Sequence, residues 1–107
     1  MKKRRYSKFK NVTVTTADGR FDSKGELRRW NQLKLLHRAG EIQDLRRQVS
    51  YDIEVLGLHI CRYVADYTYT DGGRKVVEDF KGIRTDTFRL KKKLMKAVHG
   101  IDVYESS

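Results

Sequence analysis

The sequence predicts a single α/β (α+β) domain with an αβββαβ core, a mixed sheet flanked by helices, and a short N-terminal hairpin. Three observations support this prediction. The 107 residues favour one domain, since two would leave each too little core. Two segments have helical apolar spacing with capping residues at their ends, and the segments between them alternate apolar and polar residues as strands do. We expect a flexible basic arm at residues 1–9 and the folded domain at residues 10–107.

The first folded elements are a hairpin and a helix. In residues 12–21 two valines alternate with threonines before a turn containing Asp-Gly, which is typical of a short hairpin. Ser23 can cap the following helix together with Glu26 three residues later, and Gly40 ends it. On a helical wheel, Glu26 lies at the centre of an apolar face and points into the protein. That face consists of Leu27, Trp30, Leu33 and Leu36.

Three β-rich segments follow this helix. Gly57 ends the first segment, and Gly72-Gly73 separates the second from the third, which is a strong signal for a two-residue hairpin loop. Thr85 or Asp86 then caps a second helix, Gly100 ends it, and a last strand follows. The predicted strands span residues 48–56, 59–70, 74–81 and 101–104.

The charge distribution indicates a polyanion partner. The formal net charge is +10, and most of the excess lies in residues 1–10 and 81–99 on a nearly neutral body. Such basic regions are typical of nucleic-acid binding, although the lysine run in the second helix is equally typical of a solvated helix face. The predicted contacts are Lys2, Lys3, Arg4, Arg5, Arg84, Arg89, Lys91, Lys92 and Lys93.

Several classes of protein are excluded at this stage. The apolar runs are too short to span a membrane, and the charged N-terminus is not followed by the apolar segment of a secretory signal. The single cysteine, Cys61, excludes an intramolecular disulfide and a cysteine-based zinc site. We therefore expect a cytoplasmic protein without membrane contact.

The Gly72-Gly73 loop brings two carboxylates together. With these glycines as the loop residues, Asp66 lies opposite Asp79, with Cβ atoms about 4.5–5.5 Å apart on one face. Lys81 follows on the same face and Glu78 lies on the other. Like charges placed opposite each other repel, so a structural role does not explain the choice. Such a pair suits Mg²⁺; without a cation, it would share a proton and one pKa would rise.

These residues resemble the PD-(D/E)XK nuclease superfamily. The resemblance lies in Ala65-Asp66, in Glu78-Asp79-Phe80-Lys81 and in Glu26 on an earlier helix, and the αβββαβ order resembles the core of that fold. Ala65 stands where the superfamily name has proline. More narrowly, the chain resembles a small phage-encoded branch, mostly of unknown function. The segments that carry this second resemblance are 21–26, 63–67, 77–82 and 88–93.

The resemblance implies a Mg²⁺-dependent nuclease, with Mn²⁺ as a substitute, that hydrolyses DNA phosphodiester bonds. It implies that Asp66 and Asp79 bind the metal with the Phe80 carbonyl, that Lys81 is the catalytic lysine and that Glu26 is the additional acid. Gln48 corresponds to a recurrent polar position of the branch. The analogy extends to an endonuclease selective for branched DNA, with salt-sensitive backbone contacts and no small-molecule cofactor. Cutting both strands would favour a homodimer, and a phage origin would place it in a bacterial cytoplasm.

Other interpretations stay open from the residues alone. The alternative function is a non-catalytic basic nucleic-acid-binding protein on the same fold, and a weaker one is an accessory of RNA assemblies. Asp66 and Asp79 could be strand acids paired with Lys81 or Arg62, and Glu26 could serve only in helix capping. Three alternating tyrosines are expected on one strand face, more as core than as a base-stacking platform: Tyr63, Tyr67 and Tyr69.

Overall fold

The computed structural model describes residues 12–107, and the basic arm predicted at residues 1–9, with Lys2, Lys3, Arg4 and Arg5, lies outside the described residues. The predicted order of elements is confirmed, a helix, three strands, a helix and a strand after a hairpin. The elements are β1 (Val14–Thr16), β2 (Gly19–Phe21), α1 (Lys24–Arg38), β3 (Gln43–Val55), β4 (Leu58–Asp71), β5 (Arg74–Phe80), α2 (Asp86–His99) and β6 (Tyr104–Ser106).

The strands form two sheets. Strands β1 and β2 pair in a small antiparallel hairpin, and the main sheet has the order β3-β4-β5-β6. All pairs in the main sheet are antiparallel except β5–β6, which is parallel, so the predicted mixed sheet is confirmed. The predicted start of the last strand at Ile101 is wrong, because the Ile101 N–H donates to the Met95 carbonyl (3.2 Å) and so closes α2.

Helix α1 begins and packs as its sequence predicts. The Ser23 hydroxyl accepts a hydrogen bond from the Glu26 N–H (3.1 Å), and Trp30 and Leu33 are buried. Leu36, predicted on the buried face, is instead 38% exposed, because the core contact of α1 ends at Leu33 one turn earlier. The other end of the helix lies very close to β5: a Cβ at Gly25 would stand 2.5 Å from the Phe80 ring.

Helix α2 is capped at both ends. The Thr85 hydroxyl accepts from the Phe88 N–H (3.1 Å), and Gly100 ends the helix in the left-handed conformation (φ +70°) that glycine adopts most easily. Phe88 and Met95 are its buried residues. Neither helix of the described chain is long and apolar enough to cross a membrane.

The two helices cover opposite faces of the main sheet. Val76 packs in the cluster under α1, whereas its neighbour Val77 packs in the cluster under α2. Adjacent residues of a strand point to opposite faces, so the two clusters lie on the two sides of the sheet. The α1 cluster contains Phe21, Trp30, Leu33, Ile42, Tyr67 and Tyr69, and the α2 cluster contains Ile53, Tyr63, Ala65, Val77, Phe88, Met95 and Val103.

Strand β4 changes face in its middle. Tyr63 packs under α2, whereas Tyr67 and Tyr69 pack under α1, so the prediction that these tyrosines share one face is wrong. The register places Gln48 of β3 opposite Asp66 of β4, and Gln48 has a left-handed backbone (φ +52°). A positive φ interrupts the regular alternation of side chains along a strand. Asp66 therefore lies at the point where the sheet passes from one core to the other.

Candidate functional site

The β4–β5 hairpin has the register that its glycine loop predicts, from Asp71 opposite Arg74 to Tyr67 opposite Glu78. Beyond this last pair, side chains continue the pairing. Asp66 Oδ2 accepts a hydrogen bond from the Phe80 N–H (2.9 Å), and Asp79 Oδ1 accepts one from the Asp66 N–H (3.3 Å). The two carboxylates predicted to face each other are thereby held together.

Asp79 is buried and has further partners. Its Oδ2 accepts a hydrogen bond from the Tyr63 hydroxyl (2.6 Å) and lies 3.7 Å from Lys81 Nζ. The Lys81 ammonium also lies 4.3 Å from the centre of the Phe88 ring, which holds it by a cation–π contact. The sequence analysis missed Tyr63, because its place beside Asp79 depends on the face change of β4, for which the sequence gives no local signal.

Glu26 projects inward from the first turn of α1, as the helical wheel predicts. It is 5% exposed, and its Oε1 accepts a hydrogen bond from the Asp22 N–H (3.1 Å). The bond comes from the residue before the N-cap and not from the Ser23 N–H, as a capping box would require, and it does not exhaust the acceptors of Glu26. The Tyr67 hydroxyl donates to the Glu26 carbonyl (2.7 Å), which ties the start of α1 to β4.

A cleft of about 240 Å³ opens above these groups. Glu26, Asp66, Phe80 and Lys81 line it, together with Asp22 and the loop after β5. Asp79, which is only 2% exposed, is not part of this lining. The Gln48 amide donates to Asp66 Oδ1 (3.3 Å), so both oxygens of Asp66 are oriented by neighbours. The structure thus gathers four predicted residues around one cleft and places Asp79 behind them.

The cleft is electrostatically unfavourable for several negative charges. Burial raises the pKa of Asp66 to about 8, and the neighbouring carboxylates of Asp79 and Glu26 add to the effect. Burial also raises the pKa of Glu26. At neutral pH Asp66 therefore retains a proton, as expected for a buried carboxyl group beside another carboxylate. A bound cation would remove the need for that proton.

The donor atoms around the cleft suit a hard divalent cation, because carboxylate and carbonyl oxygens are the ligands that Mg²⁺ prefers. Within residues 12–107, no three or more acidic, histidine or cysteine side chains converge into a ready metal site. Asp79 is turned toward Tyr63 and away from the cleft. The residues present have ligand atoms that suit the cation. For both carboxylates to bind one cation, Asp66 must lose its proton and Asp79 must turn toward the cleft.

The basic residues of α2 and of the loop before it divide between two places. Arg84, Arg89, Lys92 and Lys93, all predicted contacts, line a second cavity of about 360 Å³ together with Lys96 and Asp102. Lys91 lies elsewhere, because its Nζ donates to the Arg62 carbonyl of β4 (2.7 Å). The sequence analysis missed Lys96, although a signal was present: it falls three and four residues after Lys93 and Lys92 and so shares their helix face.

Glu78, adjacent to Asp79, has a different environment. It is fully buried on the α1 side, where both its oxygens bind Arg29 (2.6 and 3.0 Å). The hydroxyls of Tyr69 and Ser106 donate to it as well (2.6 Å each). A buried carboxylate with this many donors is fully paired, which assigns Glu78 to the stability of the fold.

Comparison with known proteins places the chain in a family without identifying its activity. Searches of the curated proteins and of the solved structures give no significant match. Residues 6–104 match one protein family, and this span includes every residue of the cleft and the basic cavity. The chain therefore belongs to the family described as "Protein of unknown function (DUF1064)".

Proposed function

We propose that the protein is a Mg²⁺-dependent nuclease that hydrolyses phosphodiester bonds in DNA. The observation that carries the proposal is the contact between Asp66 and Asp79, with Glu26 and Lys81 at the same cleft. Placing these acids together in a buried setting is costly for folding. A hydrolytic metal centre explains this cost, because its carboxylates must be close and partly dehydrated.

Each residue has a role in this proposal. Asp66 and Asp79 would hold the cation, aided by Glu26 and the Phe80 carbonyl, and when bound it would polarise the scissile phosphate and acidify a water molecule. Lys81 is held between Asp79 and the Phe88 ring, where its ammonium can orient that water and stabilise negative charge developing on the phosphate. Gln48 fixes the orientation of the Asp66 carboxylate through its amide.

The Tyr63–Asp79 hydrogen bond favours a second candidate function. With Asp79 Oδ2 occupied by a hydroxyl, the same fold could bind nucleic acid without a metal. Such a protein would bind DNA in a salt-dependent manner, and neither EDTA nor loss of Lys81 would alter the binding. The facing carboxylates count against it, because acids in a DNA-binding face weaken attraction to phosphate.

Cleavage of a four-way junction and a matched linear duplex tests the nuclease. Each DNA is incubated at low salt with Mg²⁺, Mn²⁺ or EDTA. We expect cutting only with a divalent cation, and a loss of about a hundredfold or more for Lys81→Ala. Lys75→Ala provides the matched control, because Lys75 is an exposed lysine of the same strand, opposite Thr70 and away from the cleft.

The outcomes separate the candidates. Metal-dependent cutting that Lys81→Ala abolishes and Lys75→Ala retains would establish the nuclease. The ratio of junction to duplex cleavage then tests the expected selectivity for branched DNA, and sedimentation of the active species tests the expected homodimer. No cutting of either DNA with any cation, together with binding that EDTA does not change, would overturn the nuclease in favour of the binding protein.

A further inference from the structure

Helix α2 carries a continuous stripe of positive charge. Arg89, Lys92, Lys93 and Lys96 have the spacing i, i+3, i+4, i+7, which places them on one side of a helix. From first to last they extend about 10 Å along the helix axis. These four cations, which we call the α2 stripe, line the 360 Å³ cavity with Arg84 and a single acid, Asp102.

The α2 stripe contacts Glu105 of β6, which lies next to Asp79 in the sheet. Lys92 Nζ lies 2.6 Å and Arg84 Nε 3.1 Å from the carboxylate of Glu105. Glu105 in turn pairs in parallel register with Asp79, so one strand spacing of about 4.8 Å separates their backbones. The Lys92 hydrogen bond lowers the pKa of Glu105, with smaller contributions from Arg84 and Lys81. Glu105 thus interacts both with Lys92 of the stripe and with Lys81, which lines the cleft.

Most charges of the stripe are available to a ligand, whereas Lys92 is held by the half-buried carboxylate of Glu105. Arg89 pairs with Asp86 and Lys96 pairs with Asp102, and both acids are largely exposed. Ion pairs of this kind contribute at most about 1 kcal/mol, so a phosphate can replace the acid at little cost. Five cations and Asp102 line the cavity, and Glu105 pairs with two of the cations from beside it. The remaining excess of positive charge favours a ligand with several negative charges over a single small anion.

We propose that the α2 stripe binds the sugar-phosphate backbone of one DNA strand on its way to the cleft. Its length of about 10 Å is enough to contact more than one consecutive phosphate of a strand. On this proposal Lys96 contacts the DNA backbone, whereas Lys91, one position from the stripe, does not. The inference rests on the proposed nuclease function and names the surface that delivers its substrate.

Fluorescence anisotropy measures the binding of a labelled duplex of about 20 base pairs to the protein in EDTA, and so tests the stripe without requiring cleavage. The test variant is Lys93→Gln/Lys96→Gln. The matched control is Lys75→Gln/Lys91→Gln, which removes the same charge from outside the cavity. We expect the slope of log K against log salt to fall by about 0.9 for each lost phosphate contact in the test variant, with little change in the control.

A substitution in the opposite direction strengthens the test. Asp102→Asn removes the one acid of the cavity and frees Lys96, so it should tighten DNA binding severalfold. Asp102 is largely exposed, so loss of folding does not complicate the result. Inorganic phosphate at matched ionic strength should not displace the duplex, and displacement would instead identify a site for isolated phosphate.

Equal weakening by the test and control variants, or unchanged binding with Asp102→Asn, would overturn the stripe. That result together with cleavage lost in Lys81→Ala would leave the nuclease intact with another DNA-binding surface. If the stripe binds DNA as expected but no metal-dependent cleavage occurs, the DNA-binding surface is supported and the proposed nuclease function is overturned.

Discussion

The main-chain N–H of Asp66 donates a hydrogen bond to the side chain of Asp79, 3.3 Å from N to Oδ1. The Asp66 carboxylate in turn accepts a hydrogen bond from the main-chain N–H of Phe80, the residue after Asp79. The two acids are thus fixed by crossed bonds between neighbouring strands. Neither carboxylate can move away from the other without breaking a backbone contact. This restraint keeps Asp66 beside the Asp79 carboxylate, which together with burial raises the pKa of Asp66.

Stability without metal should decrease as the pH rises from about 4 to about 8. The pKa of Asp66 is about 8 in the folded protein against an ordinary value of 3.8, so the folded state binds more protons than the unfolded state across this interval. Urea unfolding in EDTA at a series of pH values measures the effect. Asp66→Asn should flatten this decrease, whereas the exposed control Asp102→Asn should keep it. A stability that rises over this interval because of Asp66 would contradict the assignment.

Tyr63→Phe should lower the free energy of unfolding by about 1–3 kcal/mol. The substitution removes the hydroxyl that donates to Asp79 Oδ2 and leaves a buried acceptor without its closest donor. Tyr104→Phe provides the control, because Tyr104 is half exposed. Chemical denaturation of both variants decides the matter, and equal stabilities would mean that Tyr63 does not hold Asp79.

Gly25→Ala should destabilise the protein by about 1–3 kcal/mol through overpacking. The new methyl group would lie 2.5 Å from the Phe80 ring, so α1 and β5 would have to separate beside the cleft. Gly82→Ala is the matched substitution, since a Cβ there meets nothing within 4 Å. Thermal unfolding should show a large difference between the two alanines, and similar midpoints would show that the helix can shift freely.

Arg29→Met should cost about 3–5 kcal/mol, because it leaves the buried Glu78 carboxylate without its charged partner. Arg28→Met on the exposed side of the same helix should change stability little. The double variant Arg29→Met/Glu78→Gln should recover part of the loss, because it removes the unpaired charge. Equilibrium unfolding of the three variants checks this, and no recovery would mean that the arginine stabilises the fold by packing alone.

The local parts of the structure could be predicted from the sequence. The loop of Gly72-Gly73 sets the register of β4 and β5, because a two-residue loop leaves few ways to pair its flanking strands. The inward position of Glu26 likewise follows from helix geometry and the cap at Ser23. Both predictions depend only on contacts between residues close in sequence.

The parts that could not be predicted depend on distant residues. The face change of β4 accompanies a left-handed Gln48 on another strand, and glutamine carries no signal for that conformation. Consequently the regular alternation of side chains along a strand does not predict the bond from Tyr63 to Asp79. It does not predict the burial of Asp79 behind the cleft either. The place of Lys96 is different, since the helical spacing was available in the sequence.

Two adjacent acids of β5 have separate environments on opposite faces of the sheet. Glu78 accepts hydrogen bonds from Arg29 of α1 and from Tyr69 and Ser106 of the sheet, and so holds α1 against the sheet. Asp79 points to the other face. Because the two acids share no partners, Asp79 can be neutralised while Glu78 keeps its donors. If the proposed nuclease is correct, Asp79→Asn should therefore yield a folded, inactive protein that binds nucleic acid without cutting it.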